Sequence, residues 1–409
     1  MNASSIVVTG MGVRCSTAGN VAELNLALRS GRSGVQKVTD PNSAGIGALI
    51  PESIETGAAD GPDDPRARRL LNRSTPAARH SMLAAFEAAA QAGLAEIEDR
   101  RRIALVVAGD ALSLGSTYAM HERFVDNPVS VRPSHSYQMW NSYLLGCVSE
   151  ILTIKGEGQV VSGASASGNL GLLSAARLLL SDEADVCLAV AAMHEFSPVE
   201  VSAFKGLGAL AEIGEGFADE VMRPFDQGHR GFVLGEGAAA MVLERSDHAT
   251  ARKAPALATL RGGATVLDGH HQTQPNLYGE ISAMTGALSR TGLTRQDIDL
   301  ISAHGTSTPL GDDTEAAAID QVFGADGPTV NATKSMLGHC LGPASGLSAV
   351  ACVLQLRGAF AHPNLNLVEP VQALSYAPAS AIDLQVRNAM NNSFAFGGIN
   401  TSVIFGQPD

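Results

Sequence analysis

The chain has 409 residues, 45% hydrophobic and only 17% charged, with 43 glycines. That is ample for a large core and fits two or three domains, or two intimately fused halves. The formal charge of −13 argues against nucleic acid as a partner, and no long polar tract points to disorder.

In chain order, "MNASSIVVTGMGVRC" lacks a basic lead and runs straight into a strand-like segment. Neither a signal peptide nor a membrane span is expected, and a cytoplasmic location follows. "SIVVTGMGV" (5–13) predicts a buried strand, and "AELNLALRSGRSGV" (22–35) a helix with its stop. "TGAADGPDDPRARR" (56–69) reads as a surface excursion. "RHSMLAAFEAAAQAGL" (79–94) predicts a helix and "RIALVVAGD" (102–110) a strand. The central unit is strand "GQVVSGASA", helix "SGNLGLLSAARLLLSDEA" and strand "DVCLAVAAM". That β–α–β order, with nearly continuous apolar strands, signals a sheet covered on both faces. "GAAAMVLER" (237–245) adds a strand, "EISAMTGALSRTGL" (280–293) a helix, "LISAHGTST" (300–308) a strand into a loop, and "ASGLSAVACVLQLRGA" (344–359) a helix. The chain closes on "NAMNNSFAFGGINTSVIFG" (388–406), a glycine loop and a last strand.

The cysteines at 15, 147, 187, 340 and 352 are odd in number and follow no metal-type spacing, which predicts buried thiols rather than disulfides. The adjacent His270 and His271 diverge and have no further ligand nearby in sequence, so no metal is expected.

Four stretches look like site loops. "SGASASGN" (162–169) has the form of a nucleophile elbow, with Ser165 at its centre. "SAHGTSTPLGDDTEA" (302–316) sets His304 at a strand end, followed by Thr306, Thr308, Asp312 and Glu315. "NATKSMLGHCLGPASG" (331–346) holds Lys334 and His339 in a glycine-bearing turn. "NSFAFGGIN" (392–400) is a Gly-Gly loop carrying Phe396. Each is weak alone, since a histidine at a strand end is more often structural than catalytic. Together and in this order they are specific. With "VVTGMGV" and "RPFDQGHRGFVLGEGAAAMVLE" (223–244), they make the chain resemble the β-ketoacyl synthases over nearly its whole length.

The resemblance implies an α/β, thiolase-like fold: two related α/β halves in a five-layer αβαβα arrangement. Residues 1–250 would carry the elbow and 251–409 the His/Lys loops. It implies a catalytic set of Ser165, His304, His339 and Lys334, with the histidines as hydrogen-bond donors and the lysine ordering the site. It also implies a tunnel for a carrier's phosphopantetheine arm, touched by Thr306, Thr308, Thr273 and Phe396, with Asp312 and Glu315 in support. The backbone N–H groups of Phe396 and Ser165 are candidates for an oxyanion hole. The partners implied are an acyl carrier protein and a second copy of the chain, in a homodimer. Arg66, Arg68, Arg69 and Arg73 offer a basic patch for an acidic carrier. Trp140 falls where family members meet across a dimer axis and line an acyl pocket.

The departure is at the elbow, where the family has cysteine. A thiol of pKa ~8.5 comes near neutrality at a helix N-terminus. A serine hydroxyl is far less acidic, and a helix dipole worth roughly 0.3–1 kcal/mol does not ionise it. Acyl loading is therefore impaired, whereas decarboxylation of a malonyl thioester needs only donors for the enolate oxygen. Serine with intact histidines resembles the decarboxylating ketosynthase-like proteins of polyketide β-branching. These convert malonyl to acetyl on an acyl carrier protein, with no cofactor of their own. They accompany HMG-CoA-synthase-like and enoyl-CoA-hydratase-like enzymes. The alternatives are a serine-dependent acyltransferase, a condensing enzyme with an engineered cysteine-to-serine change, and a non-catalytic partner like a chain-length factor.

Overall fold

In the computed structural model, which describes residues 5–39, 45–56, 64–212, 216–270 and 273–408, ten strands join in one sheet. They are β1 (Ile6–Cys15), β2 (Ile103–Ala108), β3 (Gly158–Val161), β4 (Val186–Ala191) and β5 (Gly237–Arg245), then β6 (Ala258–Leu267), β7 (Leu300–Ser302), β8 (Thr329–Asn331), β9 (Asn388–Ala395) and β10 (Ile399–Gly406). Their spatial order is β8-β7-β9-β10-β6-β1-β5-β4-β2-β3. Divided between β6 and β1, the sheet gives two sets of five with one order: third, second, fourth, fifth, first. The directions repeat as well. β2 is parallel to β3 and β4, and β5 and β1 follow antiparallel. In the second set β7 is parallel to β8 and β9, and β10 and β6 follow antiparallel. The halves join where Ile6, Val7 and Val8 pair with Leu260, Thr259 and Ala258.

Five helices complete the layers: α1 (Pro76–Gln91), α2 (Ser167–Leu180), α3 (Leu277–Thr291), α4 (Pro309–Phe323) and α5 (Ala344–Gly358). α1 covers β1, β5 and β4 from outside; α3 covers β6 and β10, with α4 against it. α2 and α5 touch each other and strands of both halves. The result is the five-layer αβαβα arrangement of the thiolase-like fold.

The sequence explains this burial. β2 and β4 are apolar at every position and wholly buried, as strands covered on both faces must be. Nearly all of α5 is buried, as in a helix enclosed on all sides. The two central helices meet through glycine: a Cβ on Gly168 would lie 2.3 Å from the Gly346 nitrogen, and one on Gly346 would lie 2.4 Å from Ala191 Cβ. Any larger residue would force the helices apart.

Three details differ from the sequence expectations. Residues 388–406 form a two-strand hairpin, β9 paired with β10, not a loop and one strand. β3 stops at Val161, and Ala164–Ala166 form a 3-10 turn. The site loop after His304 becomes α4 from Pro309, because proline suits a first helical position and alanines follow. The five cysteines are free and buried, and among the described residues no helix is long and apolar enough to cross a membrane.

Candidate active site

Ser165 sits in the 3-10 turn between β3 and α2. Its neighbour Ala164 has φ +45°, a left-handed conformation that costs an alanine about 1–3 kcal/mol. Local bonds hold it there. The Ala164 N–H donates to Asp110 Oδ2 at 2.8 Å, and the Ser167 hydroxyl donates to the Ala164 carbonyl at 2.7 Å. The Gly163 N–H donates to Ser167 Oγ at 3.0 Å, and the Ser393 hydroxyl from β9 donates to the Ser165 carbonyl at 2.9 Å. The elbow is thus clamped from both halves of the sheet.

His339 reaches Ser165 from the turn before α5, with Nε2 2.9 Å from Ser165 Oγ. Its backbone is fixed by the 223–244 stretch: the His339 N–H donates to the Val233 carbonyl at 2.7 Å, and the Gly235 N–H donates to the His339 carbonyl at 3.1 Å. Phe232 presents its ring edge-on to the imidazole at 5.1 Å. The Leu341 N–H donates to His339 Nδ1 at 3.3 Å. With Nδ1 accepting, the proton of the neutral ring lies on Nε2, which therefore donates to Ser165 Oγ.

His304 stands at the end of β7, its ring nearly perpendicular to that of His339 at 5.7 Å between centroids. Glu315 of α4 accepts the His304 and Gly305 N–H groups at 2.8 and 2.7 Å. Lys334 donates to the His304 carbonyl at 2.5 Å, and its Nζ lies 3.4 Å from His304 Nδ1. That ammonium occupies the Nδ1 side and leaves the proton of His304 on Nε2. Burial, and then the Lys334 charge, hold both imidazoles well below their ordinary range, so both are neutral. Burial pushes Lys334 down to about 8, against the attraction of Glu315. Burial pushes Glu315 up to about 7, against its two N–H donors.

Asp312 braces the loop: it accepts the Phe225 N–H at 2.7 Å and the Ser307 N–H at 3.0 Å. It joins the 223–244 stretch to the segment after His304.

These residues surround one cavity of about 490 Å³. Ser165, His304, His339, Thr273, Thr306, Thr308, Asp312, Glu315 and Phe396 all line it. Lys334 stands behind His304. The hydroxyls of Thr306 and Thr308 lie 2.8 Å apart, and Phe396 is 40% exposed at the cavity's edge. Arg66, Arg68, Arg69 and Arg73 are exposed on helix Pro65–Arg73, away from the cavity lining, and Arg66 pairs with Asp64 at 2.9 Å. Trp140 is also exposed. His270 lies 3.8 Å from Asp268, and His271 falls outside the described residues. Among the described residues no group of three His, Cys, Asp or Glu side chains is placed to hold a metal ion.

Sequence reasoning missed several polar groups in the cavity wall: Asp110, the pair His194–Glu200 (2.8 Å), Asp268 with Asn400 (2.7 Å), and Glu280. Asn400 closes the 392–400 loop and Asp110 ends the 102–110 strand segment; the others lie in no motif, and only tertiary packing collects the group.

Comparison with known proteins agrees with this geometry. Residues 3–249 match the beta-ketoacyl synthase N-terminal domain, and residues 257–368 the C-terminal domain. The chain is 33% identical to the polyketide biosynthesis malonyl-ACP decarboxylase PksF of Bacillus subtilis (strain 168), over 98% of this chain and 96% of that protein. It is 31% identical to nodulation protein E of Rhizobium meliloti (strain 1021), over 98% and 99%. A beta-ketoacyl synthase from Burkholderia phymatum STM815 superposes with a TM-score of 0.89 at 30% identity, over 99% of this chain and 100% of that one. With an elbow, two imidazoles and a buried lysine on a twice-repeated sheet, and with family matches across both halves, the chain belongs to the β-ketoacyl synthase family.

Proposed function

We propose that this enzyme decarboxylates malonyl borne on an acyl carrier protein, leaving acetyl on the same carrier for polyketide β-branching. The observation that carries the reading is the bond from the Leu341 N–H to His339 Nδ1. It leaves His339 a donor at Nε2, beside a serine hydroxyl. Serine-dependent acyl transfer needs the opposite, an unprotonated nitrogen to take the hydroxyl proton. Two neutral imidazole N–H groups suit an enolate oxygen instead, and such a donor is worth roughly 2.7–4 kcal/mol in other enzymes.

In this reading the carrier's phosphopantetheine arm enters past Phe396 and lies along Thr306, Thr308 and Thr273. The thioester carbonyl rests between His304 and His339. As the carboxylate leaves as carbon dioxide, negative charge moves to that oxygen and the imidazole N–H groups receive it. Lys334 orients His304, and Ser165 gives the malonyl group a polar, non-ionised neighbour. No metal or cofactor of the enzyme's own is required. The similarity to a malonyl-ACP decarboxylase supports the same reaction. The reading includes a homodimer, whose contact would cover the exposed apolar side chains of Val125, Val129, Tyr137 and Trp140.

The test is incubation with malonyl-loaded carrier, following the carrier by intact mass. The wild type and Ser165→Ala are expected to form acetyl carrier readily, whereas His304→Ala and His339→Ala should form it about 10²–10³-fold more slowly. A Ser165→Ala variant as inactive as the histidine variants would overturn the passive role of the serine.

A further inference from the structure

Turning a malonyl thioester into an acetyl thioester consumes a proton. The carbon–carbon bond breaks, carbon dioxide departs, and the electron pair passes to the enolate. C2 must then take up H⁺. The imidazoles are poor sources, because each is already neutral and would be left as an anion. The Ser165 hydroxyl is a weak acid too.

Glu280 lies in the first turn of α3. It is 1% exposed and lines the same cavity as the two histidines. Its Oε2 has no hydrogen-bond partner among the described residues. Met284, one turn further on, receives the Asn392 side-chain N–H at 3.3 Å. Residues four apart share a helix face, so Glu280 faces the same wall. Two residues after Asn392 is Phe394, whose ring lies edge-on to His304 at 6.1 Å. Burial, then the carboxylates of Glu315, Asp268 and Asp312, push the Glu280 carboxyl well above its ordinary range, which favours the protonated form.

Building on the decarboxylase reading, we propose that Glu280 is the acid that quenches the enolate. Its O–H bond breaks as the C–H bond forms at malonyl C2, and the carboxylate regains a proton from solvent through the cavity mouth. A condensing enzyme consumes its enolate with an acyl group and has no need of such a donor.

The experiment compares wild type, Glu280→Gln and Glu280→Asp on malonyl-loaded carrier in the presence of isotopically labelled carbon dioxide. Glu280→Gln is expected to form acetyl carrier about 100-fold more slowly. Its remaining malonyl carrier should still gain label, because the enolate forms and recaptures carbon dioxide. Glu280→Asp, which keeps an acid, should recover part of the lost rate. The proposal is overturned if Glu280→Gln stays within about 2-fold of wild type, or if label exchange falls in step with acetyl formation. A wild type that forms no acetyl carrier at all would overturn the decarboxylase reading beneath it.

Discussion

At the scale of single residues, the site divides into groups that hold charge and groups that hold position. His304 and His339 are kept neutral by burial and by Lys334. Losing either donor is expected to slow acetyl formation by about 10²–10³-fold, checked by initial rates on malonyl-loaded carrier. The same charge states fix the pH profile. Lys334 is charged below its pKa of about 8 and neutral above it, so the rate should fall as pH rises through about 8. The imidazoles, held well below their ordinary range, add no step at 6.5, so a change of rate near pH 7 belongs to Glu315. Imidazole resonances of His304 or His339 that titrate near 6.5 in a pH series of NMR spectra would contradict the neutral assignment. Ser165, His304, His339 and Lys334, which the structure brings together, were singled out in the sequence through the family resemblance that their short glycine-bearing segments carry. Glu280 was not. A glutamate in a helix's first turn reads as a complement to the helix dipole, and only its burial against three other carboxylates gives it a different character.

At the scale of elements, the site depends on how closely α2 and α5 approach. Ser165 precedes one helix and His339 the other, so their 2.9 Å contact reports the helix crossing. Gly168→Val is expected to destabilise the fold by about 1–3 kcal/mol through overpacking, read from the denaturant midpoint, and to lower activity as the elbow moves away from the imidazole. The apolar strands β2 and β4 were legible because both faces are covered. β6 escapes such patterns because "TLRGGATVL" interrupts its apolar run with arginine and paired glycines. β9 was obscured by a run of polar residues. Asn391 donates to Asn169 of α2 at 2.8 Å and to the Ser345 carbonyl of α5 at 2.9 Å. These are buried tertiary bonds that alternation rules do not anticipate.

At the scale of the whole molecule, an enzyme with a charge of −13 meets a carrier that is itself acidic in this reading, so local cations must offset repulsion. The exposed arginines of helix Pro65–Arg73 are the proposed patch. Reversing Arg66, Arg68, Arg69 and Arg73 to glutamate should raise KM for the loaded carrier with little change in kcat, and should weaken the salt dependence of kcat/KM. An unchanged KM would move the docking face elsewhere. The resemblance implied two related halves, but no fixed period in the sequence marks their repeated strand order. It emerges from the pairing itself.

The most direct measurement is the intact mass of both partners in one reaction, enzyme and malonyl-loaded carrier together, followed over time. The account predicts a carrier that loses the mass of carbon dioxide while the enzyme's mass stays constant. A carrier that keeps its malonyl group, or an enzyme that gains an acyl group at Ser165, would contradict it.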